Sequence, residues 1–222
     1  MRTALLAACI LALATPALAQ TNISATNKYS WSENCGYMNW ADANGGLQGV
    51  RISNNFMSGF VWMENVGWLN LGDGSPEGCV YSNLTGADHG VNIHPNGDLY
   101  GLAWGENIGW VNFNTAPTLA QYGNHARLDR AAGRLRGYAW GENIGWINLD
   151  DSNIFVETTF CRGDWNGDGM VNSNDISAFL TTWLESINGA ACTADMDGNQ
   201  VVNSNDISAF LTVWLNAIAG GC

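Results

Sequence analysis

Trp104-Gly-Glu-Asn-Ile-Gly-Trp110-Val-Asn-Phe113 returns almost unchanged as Trp140-Gly-Glu-Asn-Ile-Gly-Trp146-Ile-Asn-Leu149. It is preceded by Trp62-Met-Glu-Asn-Val-Gly-Trp68-Leu-Asn-Leu71 and, in a worn form, by Trp31-Ser-Glu-Asn-Cys-Gly-Tyr37-Met-Asn-Trp40. Upstream of each later copy stands a short alternating segment, Val50-Arg-Ile52, Val91-Asn-Ile93 or Ala126-Arg-Leu128. A glycine-bearing turn follows, such as Pro95-Asn96-Gly97 or Ala132-Gly133. Alternating apolar residues, aromatic and β-branched enrichment, and Gly/Asn punctuation are strand and hairpin signals, and internal repetition decides how they assemble. In the last copy the pattern predicts a strand over Tyr138 to Trp140, a turn around Gly141-Glu142-Asn143 and a strand from Ile144 to Leu149. Gly145, inside that strand, leaves room for a tryptophan of the adjoining unit. The fold class is mixed. Residues 20–158 form an all-β antiparallel tandem-repeat domain, closed as a barrel, a trefoil-like body or a small propeller. Residues 159–222 are a separate, helical unit.

The repeat also bears on chemistry. A glycosidase needs two carboxylates in different environments, one protonated and one ionised. Glu33, Glu64, Glu106 and Glu142 recur instead in one local context, always beside an asparagine. That reads as a turn device, Glu and Asn side chains bonding backbone at the hairpin. No catalytic residue is assigned. The tryptophans invite a reading as a platform for extracellular polysaccharide, because sugar faces stack on indoles, but their fixed place in each copy argues for core packing first, with one or two exposed. Arg127, Arg130, Arg134 and Arg136 read as a solvated face balanced by Asp129, or as a site for an anionic glycan or for the acidic surface of the C-terminal unit. His89, His94 and His125 have no metal-ligand spacing.

The chain has 222 residues and a formal net charge of −12, from 20 acidic and 8 basic side chains. That balance disfavours nucleic acid and anionic membrane as partners. Residues 1–19 have the pattern of a secretory signal peptide: Arg2, an apolar run from Ala4 to Ala14, and Ala17-Leu18-Ala19 before a mature start at Gln20. The run is shorter than the ~20 residues a membrane span needs, so no span is expected after signal removal. Export favours disulfides among Cys35, Cys79, Cys161, Cys192 and Cys222. Five is odd, so at least one thiol is free, joined between chains or modified.

From Cys161 onward Asp164, Asp168, Asp175, Glu185, Asp195, Asp197 and Asp206 face only Arg162. A bound cation is the economical explanation. Asp164-Trp-Asn-Gly-Asp-Gly-Met-Val-Asn-Ser-Asn-Asp175 is a twelve-residue loop of the EF-hand type. Its oxygen ligands would be Asp164, Asn166, Asp168, Asn172 and Asp175, with the carbonyl of Met170 at position seven and Gly169 at the sharp turn. A hard cation of calcium's size takes six to eight oxygens, which this spacing converges. The second copy offers Asp195, Asp197, Asn199, Asn203 and Asp206 with the carbonyl of Val201. Gln200 replaces the turn glycine, which weakens that site. The cofactor reading is two Ca2+ sites, the second less complete. Each loop runs into an apolar stripe at helical spacing: Ile176, Phe179, Leu180, Trp183, Leu184 and Ile187, then Ile207, Phe210, Leu211, Trp214, Leu215 and Ile218. Two such stripes should pack together. Val171 to Leu184 and Val202 to Leu215 differ only at Thr182 against Val213.

Two loops, each with an exiting helix and no entering one, resemble a type I dockerin, a tandem F-hand module, over Cys161 to Cys222. The resemblance implies calcium and a cohesin-like or surface-anchoring protein as partner, docked on helix faces that begin at Ser173-Asn174 and Ser204-Asn205. Dockerins often carry basic residues further along the helix, where this chain has Thr181 and Thr212. The closing Gly221-Cys222 resembles GC-type dockerin domains and implies an anchor at Cys222, while the residues also allow a disulfide to Cys161 or Cys192. The N-terminal copies are similar to the GYAWxENIGWIxF type of tandem unit found in surface and secreted proteins, which implies a location outside the cytoplasm. The function expected is a secreted, non-catalytic display or binding protein, held at a cell surface or extracellular scaffold by its C-terminal domain. The alternative is a dockerin-borne polysaccharide-degrading enzyme, a glycoside hydrolase, or a carbohydrate-binding module.

Overall fold

The computed structural model describes residues 21–76, 78–189 and 192–220; the expected signal peptide and Cys222 lie outside them. Fourteen strands are found among the described residues: β1 (Ile23–Ser32), β2 (Gly36–Asn39), β3 (Arg51–Ile52), β4 (Met57–Ser58), β5 (Phe60–Met63), β6 (Gly67–Asn70), β7 (Val91–Ile93), β8 (Leu99–Gly105), β9 (Gly109–Asn112), β10 (Arg127–Asp129), β11 (Arg134–Arg136), β12 (Tyr138–Gly141), β13 (Gly145–Asn148) and β14 (Val156–Thr158). A short helix α1 (Ala116–Leu119) lies between β9 and β10, and α2 (Ser173–Ile187) and α3 (Ser204–Gly220) follow the strands.

Each copy of the tryptophan phrase makes one hairpin: β1/β2, β5/β6, β8/β9 and β12/β13. The hairpins pair in chain order, β2 with β5, β6 with β8 and β9 with β12, and β13 returns to β1. The result is a closed antiparallel barrel of eight strands, which removes every free edge from the ring. Of the three expected closures, the barrel is the one formed. The register repeats as well. The asparagine that ends one hairpin lies opposite the first tryptophan of the next: Asn39 with Trp62, Asn70 with Trp104, Asn112 with Trp140 and Asn148 with Trp31.

The alternating segments upstream of the copies become β3, β7 and β10, with Val50, Ile52, Val91, Ile93, Ala126 and Leu128 buried. They build short pairs beside the barrel: β3 with β4, β7 with the first half of β8, and β10 with β11. The fourth pair joins the two ends of the domain, since β14 runs antiparallel to the first half of β1 and also meets β11. β14 lies at the end of residues 20–158 and is not one of the strands that the repeats predict. A three-residue strand is too short for its alternation to be read; its pairing with a strand more than a hundred residues away defines it.

A correction concerns which face is inside. Met38, Trp40, Val61, Met63, Leu69, Leu71, Ala103, Val111, Phe113, Ala139, Ile147 and Leu149 fill the barrel. The paired tryptophans stand on the alternate, outer face. Trp31, Tyr37, Trp68, Trp104, Trp140 and Trp146 are exposed, and Trp62 and Trp110 are half-buried. Only Trp40, of the eight tryptophans in this region, is fully buried; its indole N–H donates to the buried Ser30 Oγ at 2.9 Å, and its ring meets Phe113 edge-on at 6.4 Å. The outer rings pair across each hairpin at centroid distances of 4.4 to 4.9 Å. Such pairs stabilise a hairpin by ~0.5–1.5 kcal/mol beyond the area they cover.

The hairpin tips also differ from expectation. Ile144 belongs to the turn and is buried, and β13 begins at Gly145. Gly145 takes φ +73° and faces the Asn34 amide of the neighbouring unit, not a tryptophan. That backbone conformation, repeated at Gly36, Gly67 and Gly109, is why the position is glycine. The asparagine of each tip donates to a carbonyl in the preceding tip around the ring: Asn65 to Cys35 O, Asn107 to Val66 O, Asn143 to Ile108 O and Asn34 to Ile144 O, at 2.9 to 3.2 Å. This closed cycle ties the four hairpins together. The four glutamates stand exposed beside it. Cys35 is a free, buried thiol in the place that Val66, Ile108 and Ile144 occupy in the other copies. It therefore serves as packing, and burial pushes its pKa up.

Candidate metal centre

The two acidic loops, residues 164–175 and 195–206, have one geometry. In the first, Asp164 Oδ1 accepts the N–H groups of Gly167 and Asp168 at 2.9 and 3.1 Å, and Oδ2 accepts that of Gly169 at 2.8 Å. Asp195 repeats this with Gly198, Asn199 and Gln200 at 2.9, 3.2 and 2.9 Å. The carboxylate at position twelve closes each loop: Asp175 accepts from Asn166 and Asn172, and Asp206 from Met196, Asp197 and Asn203. Backbone N–H groups thus orient the carboxylates without using all their lone pairs. Gln200 adopts φ +66° where Gly169 has φ +83°, so the second loop keeps the same turn despite the replacement of its glycine. A non-glycine residue there costs about 1–2 kcal/mol.

Among the described residues, Asp195, Asp197 and Asp206 bring carboxylate oxygens within 4.8 Å of one another. The first loop distributes its charges differently, with carboxylates at positions one, five and twelve and Asn166 at position three. Asp175, Asp195 and Asp206 are fully buried. Burial, with the nearby Asp206 and Asp197 adding to it, raises the Asp195 pKa despite its hydrogen bonds from Gln200 and Gly198. Buried carboxylates crowded this closely are unfavourable without a cation, and an all-oxygen set fits a hard divalent ion. Position nine has another task. Asn172 Oδ1 accepts from Asn174 N and Asn203 Oδ1 from Asn205 N, both at 2.8 Å, capping α2 and α3. The carbonyls of Met170 and Val201 accept from these same asparagine side chains.

Among the described residues no helix lies between β14 and the first loop or between α2 and the second, and α2 and α3 leave the loops directly. Their packing is narrower than the apolar stripes suggested. Phe179 and Phe210 stack at 4.2 Å, with Trp165 edge-on to both, and Ala194 and Met196 complete the buried set. Leu180, Leu184, Ile187, Leu215 and Ile218 remain exposed. Each helix reaches across to the other loop. Trp183 Nε1 donates to Asn203 O at 2.8 Å, and Trp214 Nε1 to Asn172 O at 2.9 Å. The single difference between the copies has a cause here: Thr182 Oγ1 meets the Trp165 indole N–H at 3.1 Å, while Val213 answers to Met196, which carries no such donor.

Ser173, Asn174, Ser204 and Asn205 are exposed at the starts of α2 and α3. Thr181 and Thr212 turn their hydroxyls back to Ser177 O and Ser208 O. The loops are not equivalent toward the barrel. The Asn54 and Asn55 amides donate to Asp195 O at 2.6 and 3.0 Å, and Asn55 also reaches Asp195 Oδ2 at 3.2 Å. Cys79 and Cys192 form a disulfide, which removes Cys192 from the pairings open to Cys222, and Cys161 is also disulfide-bonded. Asn54 and Asn55 escaped sequence reading because they sit outside both repeats and about 140 residues from the loop they touch. Among the arginines expected on a solvated face, Arg134 pairs with Asp150 and Arg136 with Asp129 and Asp150, whereas Arg130 turns inward to Asn54 O. His125 pairs with Asp98, and His94 stacks on Tyr100.

No helix among the described residues is long and apolar enough to cross a membrane. No curated protein matches the chain, and no solved structure does. One family does match: residues 162–210 fit the dockerin type I domain, which supports calcium binding and attachment to a cohesin-bearing scaffold for this part of the chain.

Proposed function

We propose that the chain is an extracellular, non-catalytic display or binding protein whose barrel is carried by a two-calcium dockerin module. The observation that carries this reading is the pair of acidic loops with matching hydrogen bonds inside the dockerin match, each delivering an exposed Ser-Asn pair at a helix start. Asp164, Asn166, Asp168 and Asp175, with the Met170 carbonyl, would hold one ion, and Asp195, Asp197, Asn199 and Asp206, with the Val201 carbonyl, the other. Asn172 and Asn203 at position nine cap α2 and α3 and would complete the oxygen sets. Calcium fixes the loops, and the loops fix α2 and α3. Ser173-Asn174 or Ser204-Asn205, with Leu180 and Leu184 or Leu211 and Leu215 along the same helix, then offers a face to a cohesin-like or surface partner. Either copy can serve because the two are nearly identical. Thr181 and Thr212 make that face less basic than is usual for dockerins, which selects among cohesins. Cys222 is proposed as an anchoring point or as the disulfide partner of Cys161. Binding of the full chain to immobilised type I cohesins, with and without chelator, tests the module; no calcium-dependent binding to any cohesin, together with no helix change on chelation, defeats it.

A carbohydrate-binding role for the barrel is the second reading, favoured by the outward tryptophans. Exposed indoles are the surface on which pyranose faces stack, and Trp31, Trp68, Trp104, Trp140 and Trp146 all present one. Titration with soluble neutral polysaccharides, followed by tryptophan fluorescence, checks it. Release of reducing sugar by the full chain would favour the hydrolase alternative instead.

A further inference from the structure

The protein carries 20 acidic side chains against 8 basic ones, yet among the described residues two half-buried arginines line one cleft with no carboxylate in ion-pair contact. Arg130, at the end of the β10 hairpin, and Arg162, at the start of the calcium module, line one cleft of about 540 Å³ between the barrel and α3. Its walls are Leu128, Phe160, Val213 and Ala217. Each guanidinium makes one hydrogen bond, to a backbone carbonyl: Arg130 Nη2 to Asn54 O at 3.0 Å and Arg162 Nη2 to Met196 O at 2.5 Å. Arg130 Nε and Nη1 and Arg162 Nε are buried with no partner. Three other cations are paired with carboxylates: Lys28 with Asp42, and Arg134 and Arg136 with aspartates. Burial, aided by the charge of Arg162, lowers the Arg130 pKa to about 10.

A buried donor left unpaired is destabilising, and more so when it is charged. Two guanidiniums side by side add repulsion, and their planar forks match an oxyanion bidentately. We infer that Arg130 and Arg162 form a binding site for a small oxyanion, a carboxylate or sulfate group, in the cleft between barrel and calcium module. The apolar walls suit the carbons of a group that carries the charge, such as an acidic sugar. The site is distinct from the metal loops, although Arg162 holds the Met196 carbonyl next to Asp195.

The test uses the calcium-loaded full chain. Its thermal midpoint is measured in sodium sulfate, D-glucuronate or D-glucose, against sodium chloride at matched ionic strength, with calorimetric titration of the same three solutes. Sulfate and glucuronate should raise the midpoint above chloride, and glucose should not. Tighter binding of glucuronate than sulfate identifies an acidic sugar as the source; equal binding identifies a free anion. Arg130→Met and Arg162→Met should each be more stable than the parent without oxyanion, because an unpaired buried cation is gone, and each should lose the oxyanion effect. Where a methionine variant does not fold, Arg130→Lys retains charge without the fork and should weaken binding by about tenfold, the scale of one charge-assisted hydrogen bond. Equal midpoints in sulfate, glucuronate and chloride, or an undiminished oxyanion effect in the variants, overturn the site.

Discussion

The barrel and the helical module are both made of repeats, but they solve closure differently. In the barrel four hairpins pair in a ring, the last strand returns to the first, and the core runs through every unit. Each strand satisfies its neighbour's backbone, and the asparagine cycle does the same at the tips. The helical module has two copies, and among its described residues the buried apolar ones are Phe179, Ala194, Met196, Phe210 and Ala217. At its centre it buries three aspartates. Four units can close on themselves by packing and hydrogen bonds alone. Two units with so small an apolar core depend on something else, and their carboxylates point to a cation.

Removing calcium should therefore break the comparison most sharply. A ligand at a thousandfold excess over Kd stabilises the folded state by about 4 kcal/mol per site. Chelation is expected to abolish most of the helical circular dichroism of α2 and α3 while the barrel's near-ultraviolet tryptophan signal persists. Simultaneous loss of both signals would show that the barrel leans on the module. Phe113→Ala is the converse, expected to cost the barrel about 3–5 kcal/mol by leaving a cavity against Trp40. Chemical denaturation should show the barrel transition moving while calcium affinity stays as it was.

Smaller effects test the parts of each design. Asn143→Ala deletes one link of the tip cycle and should cost about 1 kcal/mol. The same change at Asn65, read by the same denaturation curves, should cost a similar amount if the cycle is a repeated device. In the module, Gln200→Gly relieves a left-handed conformation and should stabilise the second loop by about 1 kcal/mol. Calcium titration of that variant should show the second site tightened and the first unchanged.

Several of these features could be read in advance and others could not. The hairpins followed from period-two alternation and the Glu-Asn turns, and the loops from oxygen ligands at fixed offsets ahead of a helical stripe. The direction of the tryptophans did not follow. Both faces of the strands are apolar, as in Val61-Trp62-Met63, so alternation states that two faces exist without saying which is inside. The exposed ends of the helical stripes were hidden for a similar reason: Leu184 and Leu215 fit the pattern of Phe179 and Phe210 but lie beyond the short contact between the helices. Asn54, Asn55 and the Cys79–Cys192 disulfide join segments that no local pattern connects.

The linear chain alone thus determined which segments are strands, which are metal-type loops and how many copies of each exist, because those depend on neighbours within a few residues. Tertiary structure decided that the hairpins close as a barrel with tryptophans outward, that the second loop is clasped by Asn54 and Asn55, and that Arg130 meets Arg162 across a cleft. Each of these turns on groups brought together from distant positions, where burial and charge act through space and carry no signature along the backbone.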